Sequence, residues 1–162
     1  LALDYLPGSV MFDPVAERPD AALASRIVWF DAFVTNLDRT CRNTNMLMWH
    51  GRLQLIDHGA ALYFHHTDGD WAARAGDPFT RVREHVLLPF AAALPEADAA
   101  FAPRLDRARL GGILAMVPDA WLESAEAAPA ARRAQYLYYF LRRLDSPHEF
   151  VAEALRARAL LV

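Results

Sequence analysis

The 162-residue chain contains no lysine, and all 17 of its basic residues are arginine. Chemistry that needs a lysine amine is therefore outside its reach. That excludes Schiff-base catalysis, a Walker-type phosphate loop and the strand lysine with which kinases hold ATP. No Gly-x-Gly-x-x-Gly occurs, and no nucleophile-elbow serine. The single cysteine, Cys41, rules out an internal disulfide and fits a reducing cytoplasm. No apolar run reaches the length that spans a bilayer, so no membrane partner is expected. The net charge of -3 argues against a broad nucleic-acid surface.

Hydrophobic residues make up 54% of the chain, enough to build a sizeable core, and residues 1–162 read as one domain. The pattern predicts a mainly α fold with a small β-hairpin. Residues 1–19 read as irregular, broken by Pro7-Gly8, Pro14 and Pro19. Asp20 is placed to cap a helix running to about Val34, with Leu23, Ile27, Phe30 and Val34 as its apolar stripe. Met46–Trp49 and 52–56 read as two strands joined by a His50-Gly51 turn. The stretch 67–70 is polar, and 71–79 reads as loop.

Further helices are expected at about 80–100, with Pro89 as a kink, and at 104–116. Trp121 is expected in a short helix or turn. Leu137, Phe140, Leu141 and Leu144 predict a helix over 128–145, with Arg132, Arg133, Arg142 and Arg143 on its other faces. Ser146-Pro147-His148-Glu149 has the form of a capping box that opens a last helix, running to about Leu160.

The chemistry concentrates between the first helix and the end of the hairpin. Asp38 and Asn43 lie five apart, Asn43 just precedes the first strand, and Asp57-His58-Gly59 follows the second. The two flanks of a hairpin are neighbours at its open end, so the spacing predicts one shared site. Phosphoryl transfer from ATP needs a carboxylate to orient the attacking hydroxyl, and oxygen ligands to hold magnesium. Asp38 fits the first role; Asn43 and Asp57 fit the second. Asn45 rivals Asn43 as the metal ligand. Arg39 and Arg42 flank the site, where they would steady a nucleotide phosphate or pair with Asp38. Cys41 reads as an inert neighbour of the loop.

The run Trp29 through Asp38-Arg39-Thr40-Cys41-Arg42-Asn43-Thr44-Asn45, followed by Leu55-Ile56-Asp57-His58-Gly59, resembles the HipA-like kinase family of bacteria. It is similar to that family's catalytic loop and its metal aspartate. The resemblance covers roughly residues 26–66. It implies a protein-kinase-like C-terminal lobe with Asp38 as catalytic aspartate, and Asn43 and Asp57 holding the magnesium of ATP. The activity it implies is transfer of the γ-phosphate to a hydroxyl, typically of a protein serine or threonine; a protein substrate or an antitoxin-like partner would follow. Thr40 stands where many such loops have histidine, and His58 where the common kinase motif has phenylalanine. The family's N-terminal lobe, with its lysine and phosphate-covering loop, is not in this chain, so this piece is expected to be catalytically incomplete alone.

Two other readings stand beside the kinase. One is a pseudokinase or interaction domain, to which the missing lysine and Thr40 point. The other is a metal-dependent hydrolase using Asp57 with His50, His58, His65 and His66, whose spacing fits no established zinc pattern. Tyr136, Tyr138, Tyr139 and Phe140 sit at core or rim spacing rather than forming a base-stacking platform.

Overall fold

Asp20 caps the first long helix, α1 (Ala21–Phe33), by accepting the Leu23 N–H at 2.8 Å. The computed structural model describes residues 5–66, 71–123, 127–145 and 148–161. Around α1 are arranged a three-stranded antiparallel sheet and a set of shorter helices. The strands are β1 (Val10–Met11), β2 (Met46–Trp49) and β3 (Arg52–Leu55), in the order β1-β2-β3. The helices after the hairpin are α2 (Trp71–Arg74), α3 (Leu94–Phe101), α4 (Arg107–Ala115), α5 (Pro129–Arg143) and α6 (Glu149–Ala159). The fold is thus mainly α with a small sheet.

Helix α1 is buried on most of its circumference, not along one stripe. Ala24, Ile27, Val28, Trp29, Asp31, Ala32 and Phe33 face the core, whereas Leu23 and Phe30, expected inside, are exposed. Trp29 sits at the centre. Its ring stacks on Phe33 at 5.2 Å and meets Phe101 and Phe150 edge-on at 5.3 and 5.4 Å. Its indole N–H donates to Asp98 of α3 at 2.8 Å.

The end of α1 is unusual. Asn36 donates its N–H to the Asp31 carbonyl at 2.8 Å, and Thr35 to that of Ala32 at 3.3 Å. Those two bonds form a Schellman motif, whose left-handed position is normally glycine. Here it is Thr35, at φ 52°. A β-branched residue is strained in that conformation. Arg143 closes the same terminus from α5. It donates to the carbonyls of Ala32 and Phe33 at 2.7 and 2.9 Å, and to those of Ala75 and Asp77 at 3.2 and 3.1 Å.

The hairpin pairs Met46 with Leu55 and Trp49 with Arg52. His50 and Gly51 both have positive φ, 49° and 70°, as a type I′ turn requires. The strand β1 was not expected. Two residues are too short to carry an alternation of their own, and they are ordered by β2, against which Val10 faces Met48.

The expected helix over 80–100 is broken into 3₁₀ turns at Thr80–Glu84 and Leu88–Phe90, and α3 begins only at Leu94. Pro89 and Pro95 each remove a backbone donor and cannot continue a preceding helix. Residues 71–74, read as loop, form the single turn α2. Trp121 ends a 3₁₀ turn. Helix α5 matches its expected span, but Arg132 and Arg143 are buried rather than on an outer face. Of the aromatics on α5, Tyr139 and Phe140 join the core while Tyr138 is exposed. Helix α6 opens with Glu149 in its first turn. The expected cap, Ser146-Pro147, and the polar stretch 67–70 lie outside the described residues.

Candidate catalytic loop at the base of the hairpin

Residues 34–45 connect α1 to β2 and carry Asp38. The carboxylate Oδ2 of Asp38 accepts from the side-chain amides of Asn43 at 2.8 Å and Asn45 at 3.1 Å. A carboxylate can only accept, so each amide must turn its nitrogen inward. The Asn43 amide oxygen is thereby directed away from Asp38, on an exposed residue. Asn45 is buried, and its Nδ2 also donates to the Asp38 main-chain carbonyl at 2.7 Å. Asp38 is held at both its backbone and its side chain by this one residue.

Asn45 has φ 47°, a conformation asparagine tolerates better than most residues. Its carbonyl accepts the Ile56 N–H at 3.0 Å, so the open end of the hairpin begins here. Asp57 follows directly, also at positive φ. Its Oδ1 accepts the Gly59 N–H at 3.2 Å, and the residue is exposed. A Cβ on Gly59 would lie 3.1 Å from that oxygen, so glycine leaves the carboxylate its room. The chain then runs back beside the start of the loop, with Leu37 donating to Ala60 at 3.3 Å and Leu62 to Val34 at 2.7 Å. The hairpin thus returns Asp57 to the segment that carries Asp38, although no hydrogen bond joins Asp57 to Asp38 or Asn43 among the described residues.

Arg39 does not face a phosphate. Its Nε donates to Asp31 of α1 at 2.5 Å, with both side chains 0% exposed. Its other nitrogens reach the Asn45 carbonyl and, at 3.4 Å, Nδ1 of His58. The reason is the chemistry of Asp31, a carboxylate inside a helix core that needs partners. Asn36 donates to its other oxygen at 2.9 Å. His85 supplies a further bond, Nε2 to Oδ2 at 2.9 Å. The Leu87 N–H donates to Nδ1 of that ring, which assigns the ring proton to Nε2. Burial pushes the Asp31 carboxyl up, but the His85 ring, the Arg39 guanidinium and the Asn36 amide outweigh it. The net effect holds it below the usual carboxylate range.

Thr40 organises the turn within the loop. Its N–H donates to the Asn43 carbonyl at 2.9 Å, and its hydroxyl accepts from the Arg42 and Asn43 N–H groups at 3.3 Å each. A bridge between Thr40 and His85 ties the loop to the 79–91 segment. Arg42 and Cys41 are exposed. The fold therefore brings Asp38, Asn43 and Asn45 into direct contact, leaves Arg42 at the surface, and draws Arg39 inside.

Asp31, Asn36 and His85 are parts of the site that local reasoning missed. Asn36 stands two residues before Asp38, whose N–H it accepts at 3.2 Å, while its amide nitrogen serves Asp31. Among the described residues, no group of three or more His, Cys, Asp or Glu stands together as a metal site. His58 is turned to Arg39, and the side chains of His65 and His66 lie outside those described. Comparison of the chain with protein-family models, curated proteins and solved structures finds no match in any of the three.

Proposed function

We propose that this chain is the helical lobe of an ATP- and magnesium-dependent phosphotransferase of HipA-like type, acting on a hydroxyl, with protein serine or threonine side chains as the substrates that the resemblance implies. The observation that carries the reading is the grip of two side-chain amides on the Asp38 carboxylate. They use Oδ2 and leave Oδ1 to accept from an incoming hydroxyl. Asp38 would orient that hydroxyl, whose oxygen forms the new bond to phosphorus as the bond to the leaving diphosphate breaks. The hydroxyl proton passes to the carboxylate.

The oxygen donors of Asn43 and Asp57 fit a hard divalent cation, since both residues are exposed and the Asn43 amide already turns its nitrogen to Asp38. Magnesium held there would neutralise charge on the phosphates. Asn45 is assigned as a clamp rather than a ligand, because it is buried and its amide nitrogen serves Asp38 twice. Arg42, not Arg39, is the arginine available to a phosphate.

Manganese in place of magnesium tests this directly. With ATP present it should broaden the NMR signals of the Asn43 side chain and Asp57, and Asp57→Ala should abolish the effect. Broadening centred on residues other than these sinks the phosphotransferase reading.

The interaction-domain reading keeps one specific support. Ile113 and Met116 at α4, Trp121 beyond it and Tyr138 on α5 are large, apolar and exposed. It predicts a fold that survives Asp38→Ala and Asp57→Ala with no loss of function.

A further inference from the structure

We propose that His148 is a pH-operated latch: as an imidazolium it fastens the start of α6 to α3 and to the end of α5, and loss of one proton releases it from α5. The side chains of His148 and its partner Asp98 are 18% and 24% exposed. Nδ1 lies 2.8 and 2.9 Å from the two carboxylate oxygens of Asp98 on α3. Nε2 lies 3.0 Å from the main-chain carbonyl of Leu144, the residue that caps the end of α5. Carboxylate and carbonyl oxygens only accept, so each ring nitrogen must carry a hydrogen, and only the doubly protonated ring has two. His85 is the contrast. Its Nδ1 accepts the Leu87 N–H, so its bonds are complete with a neutral ring.

The surroundings fix which bond is lost. A neutral ring keeps its one hydrogen on Nδ1, facing the Asp98 charge, and turns a lone pair at the Leu144 oxygen. Lone pair and oxygen repel, so the contact with α5 goes and the contact with α3 stays. Trp29 of α1 donates to the same Asp98 carboxylate and holds it in place. From α5, Arg143 lies 4.8 Å from the Phe150 ring, on which His148 stacks at 6.0 Å, and Arg142 is paired with Asp145. Glu149 follows the ring on α6. Asp98, Glu149 and the carbonyl end of α5 favour the imidazolium; Arg143 and the N-terminus of α6 oppose it. The extra proton belongs to the latched state, so the latch is closed at low pH and opens as pH rises through the range in which histidine changes charge. Helix α6 packs on α1, on α3 and on the 3₁₀ turn Thr80–Glu84, which leads into His85. The latch thus reaches the segment behind the Asp38 loop. No residue of the phosphotransferase site takes part, so the proposal stands apart from that reading.

The His148 ring is followed by NMR, with nitrogen-labelled histidine, from a pH of about 5 to about 8. At the acid end both ring nitrogens should read as protonated. At the alkaline end Nδ1 should keep its hydrogen and Nε2 lose it. Over the same range the exchange protection of the Val151 and Ala152 amides, which donate to the His148 carbonyl at 2.9 and 3.1 Å, should fall about fivefold, the scale of one lost hydrogen bond. His148→Gln has one donor group for the two acceptors, so its protection should be lower at the acid end and flat with pH. A ring that keeps its hydrogen on Nε2, amide protection that does not change as the ring titrates, or the same pH profile in the variant overturns the proposal. The ring and amide readings are made on the natural protein and decide the matter if the variant does not fold.

Discussion

Arg39 and Asp31 form an ion pair shut off from solvent on both sides, Nε to Oδ2 at 2.5 Å, and it joins the candidate catalytic loop to the central helix. Arg39 directly follows Asp38 in sequence. The geometry of the pair therefore decides how rigidly the loop is held.

Removal of Arg39 should be severe. Arg39→Ala leaves the Asp31 charge buried with only Asn36 and His85 as side-chain partners, and breaking one side of such a pair costs about 3–5 kcal/mol. Urea unfolding measures it. A loss under about 1 kcal/mol would show that the pair is not closed in solution.

Acid should act through the same carboxylate. Asp31 lies below its ordinary 3.8 when folded, so the unfolded chain binds more protons between the two values. Its contribution is full above the unfolded value and is lost as pH falls through the folded one. Unfolding midpoints measured below pH of about 4 should drop more steeply for the natural protein than for Asp31→Asn. Parallel pH profiles would count against the assignment.

The two asparagines should separate cleanly. Asn45→Ala removes two hydrogen bonds from a buried site and puts alanine at positive φ, at a cost of about 2 kcal/mol. Asn43→Ala is a surface change and should stay within about 0.5 kcal/mol. Thermal unfolding gives both values. Manganese-dependent broadening at Asp57 should survive neither variant, for different reasons: one loses a ligand, the other the set of the loop.

Thr35 offers a gain. Thr35→Gly puts the usual residue into the Schellman position and should stabilise the fold by about 1 kcal/mol, read as a higher urea midpoint. A lower midpoint would mean that the threonine side chain contributes more by packing than its backbone costs.

Much of this was legible in the chain. Asp20 and the run after it announce α1, and the alternation in 52–55 with the His50-Gly51 pair announces the hairpin. Asp38, Asn43 and Asn45 were singled out by spacing, and they touch. Asp31 was not legible, because nothing local separates it from a surface aspartate on a helix. Its partners Arg39 and His85 stand 8 and 54 residues away. For the same reason Arg39 read as a phosphate ligand: spacing shows proximity to a site, but not which side of the loop a side chain takes. The helix expected over 80–100 failed where two prolines interrupt an otherwise favourable apolar pattern.

Arg143 ties three separate segments to one another. One guanidinium joins the last carbonyls of α1 to the carbonyls that follow α2, and it belongs to the last turn of α5. None of the three can fray alone without exposing the acceptors of the others. The end of α1, the segment after α2 and the end of α5 therefore open as a single cooperative unit, and the loop that carries Asp38 begins at its edge.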